Sequence, residues 1–519
     1  MSAGNARVEK GLRNGAYGLI FYVVTLVLGF ISNRVFIHRL GAELLGLTNT
    51  ITSLVESLNI AELGIATALT TLLYAPLAGG ERQTVAELVA LQGWIYRRVA
   101  AVFFGGACVA MLFFPRIFAG EDVPLVYAYA VCAVTVVASL CTYLINYPMV
   151  VLEANQESHA VTWAYRLPAV FRLALQIVAI EYTDHGYELW IVLQLLGTVA
   201  STLLLRRAVK RLHPYLDARV PGGRELMRKY PEVKRRMGQV FVHRLASVAM
   251  TRVSPLIVFS FSSLALVAAY GNYMLIFYGL TQLFGAVAGG IQGGVGNVVA
   301  EGDKRGVMRA FNMVFAVDCA MAAVSTYGFY VFADAFVECW VGTEMVIGGA
   351  PVALIAMMVY IAVSRSAVGQ FTTAYGFFGD VWAAGAETAL NLGLSVVFGS
   401  LWGLSGVLLG VVSSLVAIVL IWKPIYLFGI KLGGSPWPYW LTYARNAALA
   451  LGVGYALNLL CGDVPAGGEA GFAATVWRMA WQTGLYAAVM VGTMLCVSRG
   501  MRDAARSLLS TMASRRRRA

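Results

Sequence analysis

The sequence predicts an all-α polytopic membrane protein with about fourteen transmembrane helices. Of its 519 residues, 59% are hydrophobic and only 13% are charged, whereas about a quarter of the residues in an ordinary soluble domain are charged. Apolar runs of roughly 20 residues, long enough to cross about 30 Å of hydrocarbon, recur along the whole chain. Such runs must be helical, because lipid offers no hydrogen-bond partners to backbone N–H and C=O groups.

The predicted spans are joined by short connections, with one long polar exception after the sixth span. The spans lie near residues 14–37, 44–74, 93–115, 123–151, 160–180, 188–205, 237–260, 264–299, 307–333, 346–375, 381–400, 404–428, 440–460 and 472–498. The long connection separates two blocks of six spans that begin on the same side of the membrane. We therefore expect two six-helix lobes plus two C-terminal helices. The predicted segments are an N-lobe at 1–205, the connection at 206–236, a C-lobe at 237–430, the last two helices at 431–498, and a tail at 499–519.

Basic residues collect on alternate connections and indicate the orientation of the chain. The connection 206–236 contains eleven lysines and arginines, and the tail ends in "SRRRRA", whereas the connections around Asp184, Asp334 and Asp463 are acidic. Because cytoplasmic loops carry the excess of Lys and Arg, we predict that both termini are cytoplasmic. The net charge of +12 predicts contact with anionic phospholipids at the cytoplasmic face. It does not indicate nucleic acid, because the basic runs flank the membrane.

Two carboxylates lie within the second predicted span, in the stretch "SLVESLNIAELGIATALTTLLYAPLAGG" (residues 53–80). At about 100° per residue, Glu56 and Asn59 fall on one polar stripe, whereas Glu62 points about 120° away from Glu56. A charge that faces lipid at the bilayer centre costs at least about 2.5–3.5 kcal/mol. We therefore expect Glu56 and Asn59 to line a cavity and Glu62 to pair with an arginine within its lobe. A structural ion pair is the alternative for Glu56.

Arginines outnumber carboxylates at membrane depth. The arginines are Arg34, Arg166, Arg172, Arg244, Arg252 and Arg365, and the carboxylates are Glu56, Glu62, Asp318 and Glu387. If each carboxylate neutralises one arginine, a cationic surplus remains. Such a surplus suits a diphosphate, whose oxygens accept paired hydrogen bonds from guanidinium groups.

The arginines divide into predicted cavity residues and predicted structural residues. Arg172 lies near the middle of its span and shares a helical face with Gln176. The predicted substrate-binding residues are Arg172, Arg244, Arg252, Glu56, Asn59, Gln176, Arg34 and Arg365, and the predicted structural ion pairs involve Glu62, Asp318, Glu387 and Arg166. Arg34 and Arg166 lie nearer helix ends, where snorkelling of the side chain to the headgroups is an open alternative.

Motifs for catalysis are missing from the sequence. It contains no GxxxxGK[ST] phosphate loop, no HExxH pair and no nucleophile elbow. Its five histidines are scattered, so the sequence predicts no metal cluster. We expect no cofactor and no enzymatic activity.

Three segments together resemble the polysaccharide transporter family of lipid-linked oligosaccharide flippases. They are "RVFIHRLGAELLGLTNTITSLVESLNIAELGIATALTTLLYAPLAGG" (34–80), "LEANQESH" (152–159) and "VAAYGNYMLIFYG…GGVGNVVAEGDKR" (267–305). That family is part of the multidrug/oligosaccharidyl-lipid/polysaccharide exporter superfamily. The resemblance covers the chain from residue 14 to about residue 430. It implies two six-helix lobes around a central cavity that opens to either side in turn.

The resemblance also implies a function. Members of the polysaccharide transporter family move a polyprenyl-pyrophosphate-linked oligosaccharide from the cytoplasmic to the outer leaflet of the bacterial inner membrane. The oligosaccharide is used for a surface polymer such as O-antigen, lipopolysaccharide or capsule. Polymerases and glycosyltransferases of the same pathway are the implied partners. Ser254 departs from the family pattern, in which many members have an aspartate in the seventh helix. Ion coupling through that position is therefore an open question, as is the driving force, which the sequence leaves between protons, sodium ions and downstream polymer assembly alone.

Two other functions remain in view. A multidrug/cation antiporter of the same superfamily would share the fold, but an acidic, aromatic-lined cavity would suit its substrates, and the intramembrane charge balance runs the other way. A polytopic glycan ligase or polymerase would share the lipid-linked substrate. Such an enzyme would be expected to have a sizeable external loop, whereas every predicted external connection is short, roughly 5–12 residues.

Overall fold

The computed structural model describes residues 3–59, 65–155, 157–217, 222–234, 237, 254–301, 303–377, 379–462 and 471–516. These residues form helices joined by turns, and they contain no β-strand. Within them, ten helical segments are long and apolar enough to cross a membrane. The predicted all-α polytopic membrane fold is therefore confirmed.

The difference between ten segments and about fourteen predicted spans has identifiable sources. The predicted second span is described as two shorter helices, and most of the seventh, at 237–260, lies outside the described residues. The helix Trp437–Cys461 covers the thirteenth span but is not among the ten, because Arg445 and Asn446 lower its hydropathy. The eleventh and twelfth spans are counted as the single segment Trp382–Lys431.

The described residues divide into two compact units, Met1–Ala268 and Ala269–Ala519. The helices of the first unit are α1 (Ala3–Leu40), α2 (Ala42–Leu58), α3 (Ile65–Gly79), α4 (Arg82–Ile117), α5 (Leu125–Leu144), α6 (Met149–Ala154), α7 (Ser158–Tyr182), α8 (Gly186–Leu212), α9 (Gly223–Lys229) and α10 (Ser254–Ser260). This unit continues past the predicted end of the N-lobe at residue 205. The predicted lobe boundaries stay a prediction.

The first unit is a bundle in which each long helix packs against two or more others. α7 packs on α1 and α8, whereas α5 packs on α2, α4 and α8. Leu47, Ile51 and Leu91 are fully buried in its core. Gly41 separates α1 from α2 with a φ of 89°, a conformation that glycine adopts without steric cost. The chain can therefore turn sharply between two helices that are only one residue apart.

The second unit is built around one long helix. Its helices are α11 (Leu264–Glu301, which begins in the first unit), α12 (Lys304–Val341), α13 (Gly349–Ser364), α14 (Ser366–Ala374), α15 (Val381–Ser414), α16 (Trp437–Cys461), α17 (Phe472–Val497) and α18 (Arg499–Arg516). Two π-helical segments, Leu415–Trp422 and Ile425–Lys431, follow α15. α12 packs on α13, α17 and α18. Its N-terminus is capped by Asp303, which accepts hydrogen bonds from two backbone N–H groups at 3.0 Å.

α15 is a helical hairpin, which explains why two predicted spans form one segment. Trp402 and Gly403 have non-helical dihedrals, and Gly403 has a φ of 55°. The chain then reverses, so that Ser395 Oγ donates to the carbonyl of Val407 at 3.0 Å. The predicted spans at 381–400 and 404–428 are therefore two packed helical arms joined by a tight turn.

The described residues of the basic connection after the sixth span pack against the membrane helices. α8 continues to Leu212, and α9 packs on α4. Glu87, which is only 3% exposed, accepts hydrogen bonds from Lys229 Nζ at 2.5 Å and from the Tyr230 hydroxyl at 2.6 Å. The hydrogen bond to Glu87 raises the pKa of Lys229. This ion pair attaches α9 to α4, at the end of the bundle that the sequence predicts to be cytoplasmic.

Candidate functional site

Two adjoining cavities lie within the first unit. The first, here called the Glu56 pocket, has a volume of about 270 Å³ and is lined by α2, α5 and α8. The second, the Arg172 pocket, has a volume of about 270 Å³ and is lined mainly by α5, α7 and α8. Ala138, Thr142 and Gln194 line both cavities. The cavities therefore meet at these three residues, inside the helical bundle.

One face of α8 runs along both cavities. Gln194, Thr198, Ser201 and Thr202 line the pockets and recur at intervals of three, four and seven residues. Side chains at these intervals lie on one side of a helix. Their small hydroxyl groups and one amide make this face polar, although the helix as a whole is apolar enough to span a membrane.

α2 presents its polar stripe to the Glu56 pocket. Glu56 and Asn59 are three residues apart, and both line the cavity. The hydroxyl of Tyr143 donates to Asn59 Oδ1 at 2.7 Å, and Asn59 Nδ2 donates to Ser139 Oγ at 3.4 Å. These bonds hold the Asn59 amide in place, so the end of α2 presents a fixed polar edge beside Glu56.

Arg172 is held by neutral groups. Its Nη1 donates to Gln194 Oε1 at 2.5 Å, and its Nε is buried without a hydrogen-bond partner. Gln176, which is 1% exposed, donates from Nε2 to the carbonyl of Trp190 at 2.9 Å and to Gln194 Oε1 at 3.4 Å. Within the described part of the chain, Arg172 forms no salt bridge. The guanidinium therefore has no counter-charge among these contacts, and its Nε is a buried donor without an acceptor.

Gln194 joins the two cavities, and sequence reasoning missed it. It lies on α8, accepts from both Arg172 and Gln176, and lines both pockets. Two signals in the sequence point to it: a single amide inside the apolar run "WIVLQLLGTV" (190–199), and its helical spacing from Thr198 and Ser201. Neither signal indicates that it meets Arg172, because that depends on how α7 packs against α8.

Gly197 makes room for the arginine. A Cβ atom at this position would lie 2.8 Å from Arg172 Cδ and 3.2 Å from its Cγ. Real Cβ atoms essentially never approach so closely, so a side chain at residue 197 would displace Arg172. The glycine therefore lets the arginine stem lie flat against α8.

The arrangement suits an anion. A cation at membrane depth costs free energy unless a counter-charge or polar groups compensate it. Gln194 supplies one acceptor, and hydroxyl groups of Tyr165, Thr198 and Ser201 line the same pocket. A phosphate group would accept charge-assisted hydrogen bonds from the guanidinium. Among these hydroxyls, that of Thr198 already donates to the Gln194 carbonyl at 3.0 Å, and that of Tyr165 donates to Met149 Sδ at 3.7 Å.

The structure brings together four of the predicted binding residues, Glu56, Asn59, Arg172 and Gln176. Arg34 is exposed on α1 and does not line either cavity. Three other predicted site residues lie outside the described residues: Arg244, Arg252 and Glu62. Their predicted roles stay predictions.

The remaining predicted residues lie elsewhere. Arg166 is exposed on α7, and Arg365 is exposed between α13 and α14. Glu387 interacts electrostatically with Arg365 and Lys423. The ion pair predicted for Asp318 is not among the salt bridges of the described residues. That carboxylate is 1% exposed and accepts a hydrogen bond from a backbone N–H, while its Oδ2 has no hydrogen-bond partner.

The architecture is that of an all-α polytopic membrane protein, and solved structures with a similar fold are known. The chain resembles the lipid II flippase MurJ in an inward closed conformation, with 12% sequence identity, a TM-score of 0.64, and coverage of 92% of this chain and 100% of that one. It also resembles an inward-facing multidrug resistance MATE family transporter of the MOP superfamily, with 14% identity, a TM-score of 0.60, and coverage of 77% and 94%. A Vibrio cholerae MATE transporter matches with 13% identity, a TM-score of 0.50, and coverage of 85% and 97%.

These similarities are of fold alone, because the identities are low. No family model matches the chain, and no curated protein sequence matches it. The fold resembles those of the MurJ flippase and of a MATE transporter of the MOP superfamily, which agrees with the all-α polytopic fold that the sequence predicts. The protein is a multi-pass membrane protein, and its substrate must be argued from the residues of its site.

Proposed function

We propose that the protein is a flippase for a polyprenyl-pyrophosphate-linked oligosaccharide. It moves this substrate from the cytoplasmic to the outer leaflet of the bacterial inner membrane by alternating access, and both termini are cytoplasmic. The glycan is a repeat unit of a surface polymer such as O-antigen, lipopolysaccharide or capsule. Glycosyltransferases that build the repeat unit and a polymerase that consumes it are its functional partners.

The observation that supports this proposal is the charge of Arg172, which lines a cavity and donates to a neutral amide. A guanidinium at membrane depth that is held by a neutral amide has a net positive charge to offer. Pyrophosphate oxygens accept paired hydrogen bonds from such a planar group. In this proposal the pyrophosphate occupies the Arg172 pocket. Glu56, in the adjoining pocket, is the competing anion that holds an arginine while no substrate is present.

A multidrug transporter is among the proteins with a similar fold. One observation favours multidrug transport as a second candidate function for this protein. Glu56 lines a cavity, and a carboxylate at membrane depth suits an organic cation. A multidrug/cation antiporter is therefore the alternative. The excess of arginine over carboxylate within the spans argues for the anionic substrate.

Substitution of Arg172 tests the proposal. We expect Arg172→Ala to weaken binding of the lipid-linked glycan about ten- to hundredfold, because a hydrogen bond to a charged group contributes roughly 1.5–3 kcal/mol. Arg172→Lys should restore part of the affinity, since it keeps the charge and loses the planar fork. Glu56→Gln should slow transport more than it weakens binding. The measurements are binding to purified protein and flipping in proteoliposomes.

Arg166→Ala is the matched control, because Arg166 lies on the same helix and is exposed. It removes the same charge and should bind and flip like the parent protein. If folded Arg172→Ala protein also binds and flips like the parent, the role of Arg172 in substrate binding must be abandoned.

Depletion in cells separates the candidate functions. Loss of a flippase should leave lipid-linked repeat units on the cytoplasmic leaflet and stop the surface polymer. Loss of a polymerase or ligase should instead leave repeat units on the outer leaflet. Normal polymer together with new drug sensitivity would favour the antiporter.

The proposed orientation has its own test. Single cysteines introduced at 206–217 should be protected from an impermeant thiol reagent in intact cells, and cysteines near Asp184 and Glu338 should be labelled. Labelling of 206–217 from outside would reverse the orientation.

A further inference from the structure

A third cavity of the first unit carries a different chemistry from the two described above. This basic pocket has a volume of about 470 Å³. Arg97 from α4 and Arg206 and Lys210 from α8 line it, and none of the described residues that line it is acidic. Three cations therefore surround one cavity.

Apolar side chains form the rest of the wall. Leu144 and Ile145, at the end of α5, line the cavity and are 46% and 41% exposed. Leu205 and Val209 of α8 are buried in the same wall. Cationic groups beside exposed aliphatic side chains suit a molecule with a negatively charged head and an apolar tail.

The position of the basic pocket in the fold supports this match. The face of α8 that lines the first two cavities continues through Leu205, Arg206, Val209 and Lys210 to the end of that helix. This end is followed by the basic connection, which the positive-inside rule assigns to the cytoplasmic side. The pocket thus lies where a transmembrane helix leaves the apolar layer, at the depth of phospholipid headgroups.

We propose that the basic pocket binds the headgroup phosphate of an anionic glycerophospholipid from the cytoplasmic leaflet. Basic pockets between transmembrane helices on that side are suited to such headgroups. The phosphate contacts Arg97, Arg206 and Lys210, and the acyl chains lie along Leu144 and Ile145. The lipid thereby ties α4, α5 and α8 together at the cytoplasmic end of the unit. Asn146 lines both this pocket and the Arg172 pocket, so the two cavities adjoin. The lipid site does not depend on the proposed substrate.

Two double variants with equal charge change test the proposal on the full-length protein. Arg206→Gln/Lys210→Gln removes two lining cations. The control, Arg207→Gln/Arg211→Gln, removes two exposed cations of the same helix that do not line the cavity. Retention of phosphatidylglycerol in detergent is measured by native mass spectrometry, and thermal unfolding is followed with and without the lipid. Phosphatidylcholine, whose headgroup has no net charge, is the lipid control.

We expect the parent and the Arg207/Arg211 variant to retain phosphatidylglycerol and to be stabilised by it. The Arg206/Lys210 variant should bind it about thirtyfold more weakly, because each basic residue near an anionic lipid contributes about fivefold. Phosphatidylcholine should have no effect on any of the proteins.

Three results would overturn the proposal. Equal losses in the two double variants would mean diffuse attraction to the surface charge, without a site. Equal stabilisation of all proteins by phosphatidylcholine would mean that the headgroup charge is not recognised. Stabilisation of the parent protein by inorganic pyrophosphate, with no effect of phosphatidylglycerol, would assign the cavity to a free or substrate-borne diphosphate.

Discussion

Replacing Gln194 by leucine removes the acceptor that holds Arg172 in its pocket. Gln194 Oε1 accepts from Arg172 Nη1 at 2.5 Å and from Gln176 Nε2 at 3.4 Å. In the variant, Gln176 keeps its hydrogen bond to the carbonyl of Trp190, whereas Arg172 Nη1 loses its acceptor. Arg172 Nη1 then has no acceptor, and Arg172 Nε already has none. A hydrogen bond to a charged group contributes about 1.5–3 kcal/mol, so we expect Gln194→Leu to destabilise the protein by about 2 kcal/mol.

Gln194→Glu keeps the shape of the glutamine side chain, and we expect it to preserve or raise stability, whereas Gln194→Leu lowers it. A carboxylate at this position would form an ion pair with Arg172 in place of a bond to a neutral amide. Such a pair is frequently bidentate and stronger than a hydrogen bond between a neutral and a charged group. The variant should therefore unfold at the same temperature as the parent or above it. At the same time, the new anion should compete with the pyrophosphate, so binding of the lipid-linked glycan should fall at least tenfold.

The assay pairs thermal unfolding of the purified proteins with binding of the lipid-linked glycan. Gln194→Leu should lose stability, and Gln194→Glu should lose binding without losing stability. The reasoning is refuted if Gln194→Glu is stable and binds substrate like the parent, because an internal anion would then occupy Arg172 without consequence. Protein carrying Gln194→Leu that is as stable as the parent would show that the Arg172 contact contributes nothing to folding.

Three further variants test the second unit. A Cβ at Gly406 would lie 1.8 Å from the carbonyl oxygen of Phe398, so Gly406→Ala should separate the arms of the hairpin and reduce the yield of folded protein. Gly385→Ala, where no atom lies within 4 Å, should instead be tolerated, and similar losses for both would count against the hairpin. Asp318→Asn keeps an acceptor for the Ala367 N–H and removes a buried charge, so we expect stability at pH 8 to rise by about 1 kcal/mol in thermal unfolding. A fall would indicate a cationic partner for that carboxylate.

Helical geometry made part of the candidate site predictable. Residues three or four apart share a helix face wherever the helix packs, so Glu56 with Asn59, and Arg172 with Gln176, could be paired from the sequence. A charged group at membrane depth also has to find polar surroundings, which marked Glu56 and Arg172 as residues inside the bundle. The contacts between helices could not be derived in this way. Arg34 illustrates the limit, because its span is apolar on several faces and the sequence does not show which face is exposed.

The amino-acid sequence by itself determined the class of this protein. Long apolar runs and the lack of backbone partners in lipid leave only helices, and the distribution of basic residues indicates an orientation. Only the tertiary structure decided which side chains meet. Gln194 reaches Arg172 from a different helix, and Lys229 reaches Glu87 across 142 residues of sequence. Such contacts depend on the packing of one helix face against another, and many packings satisfy the same pattern of apolar residues.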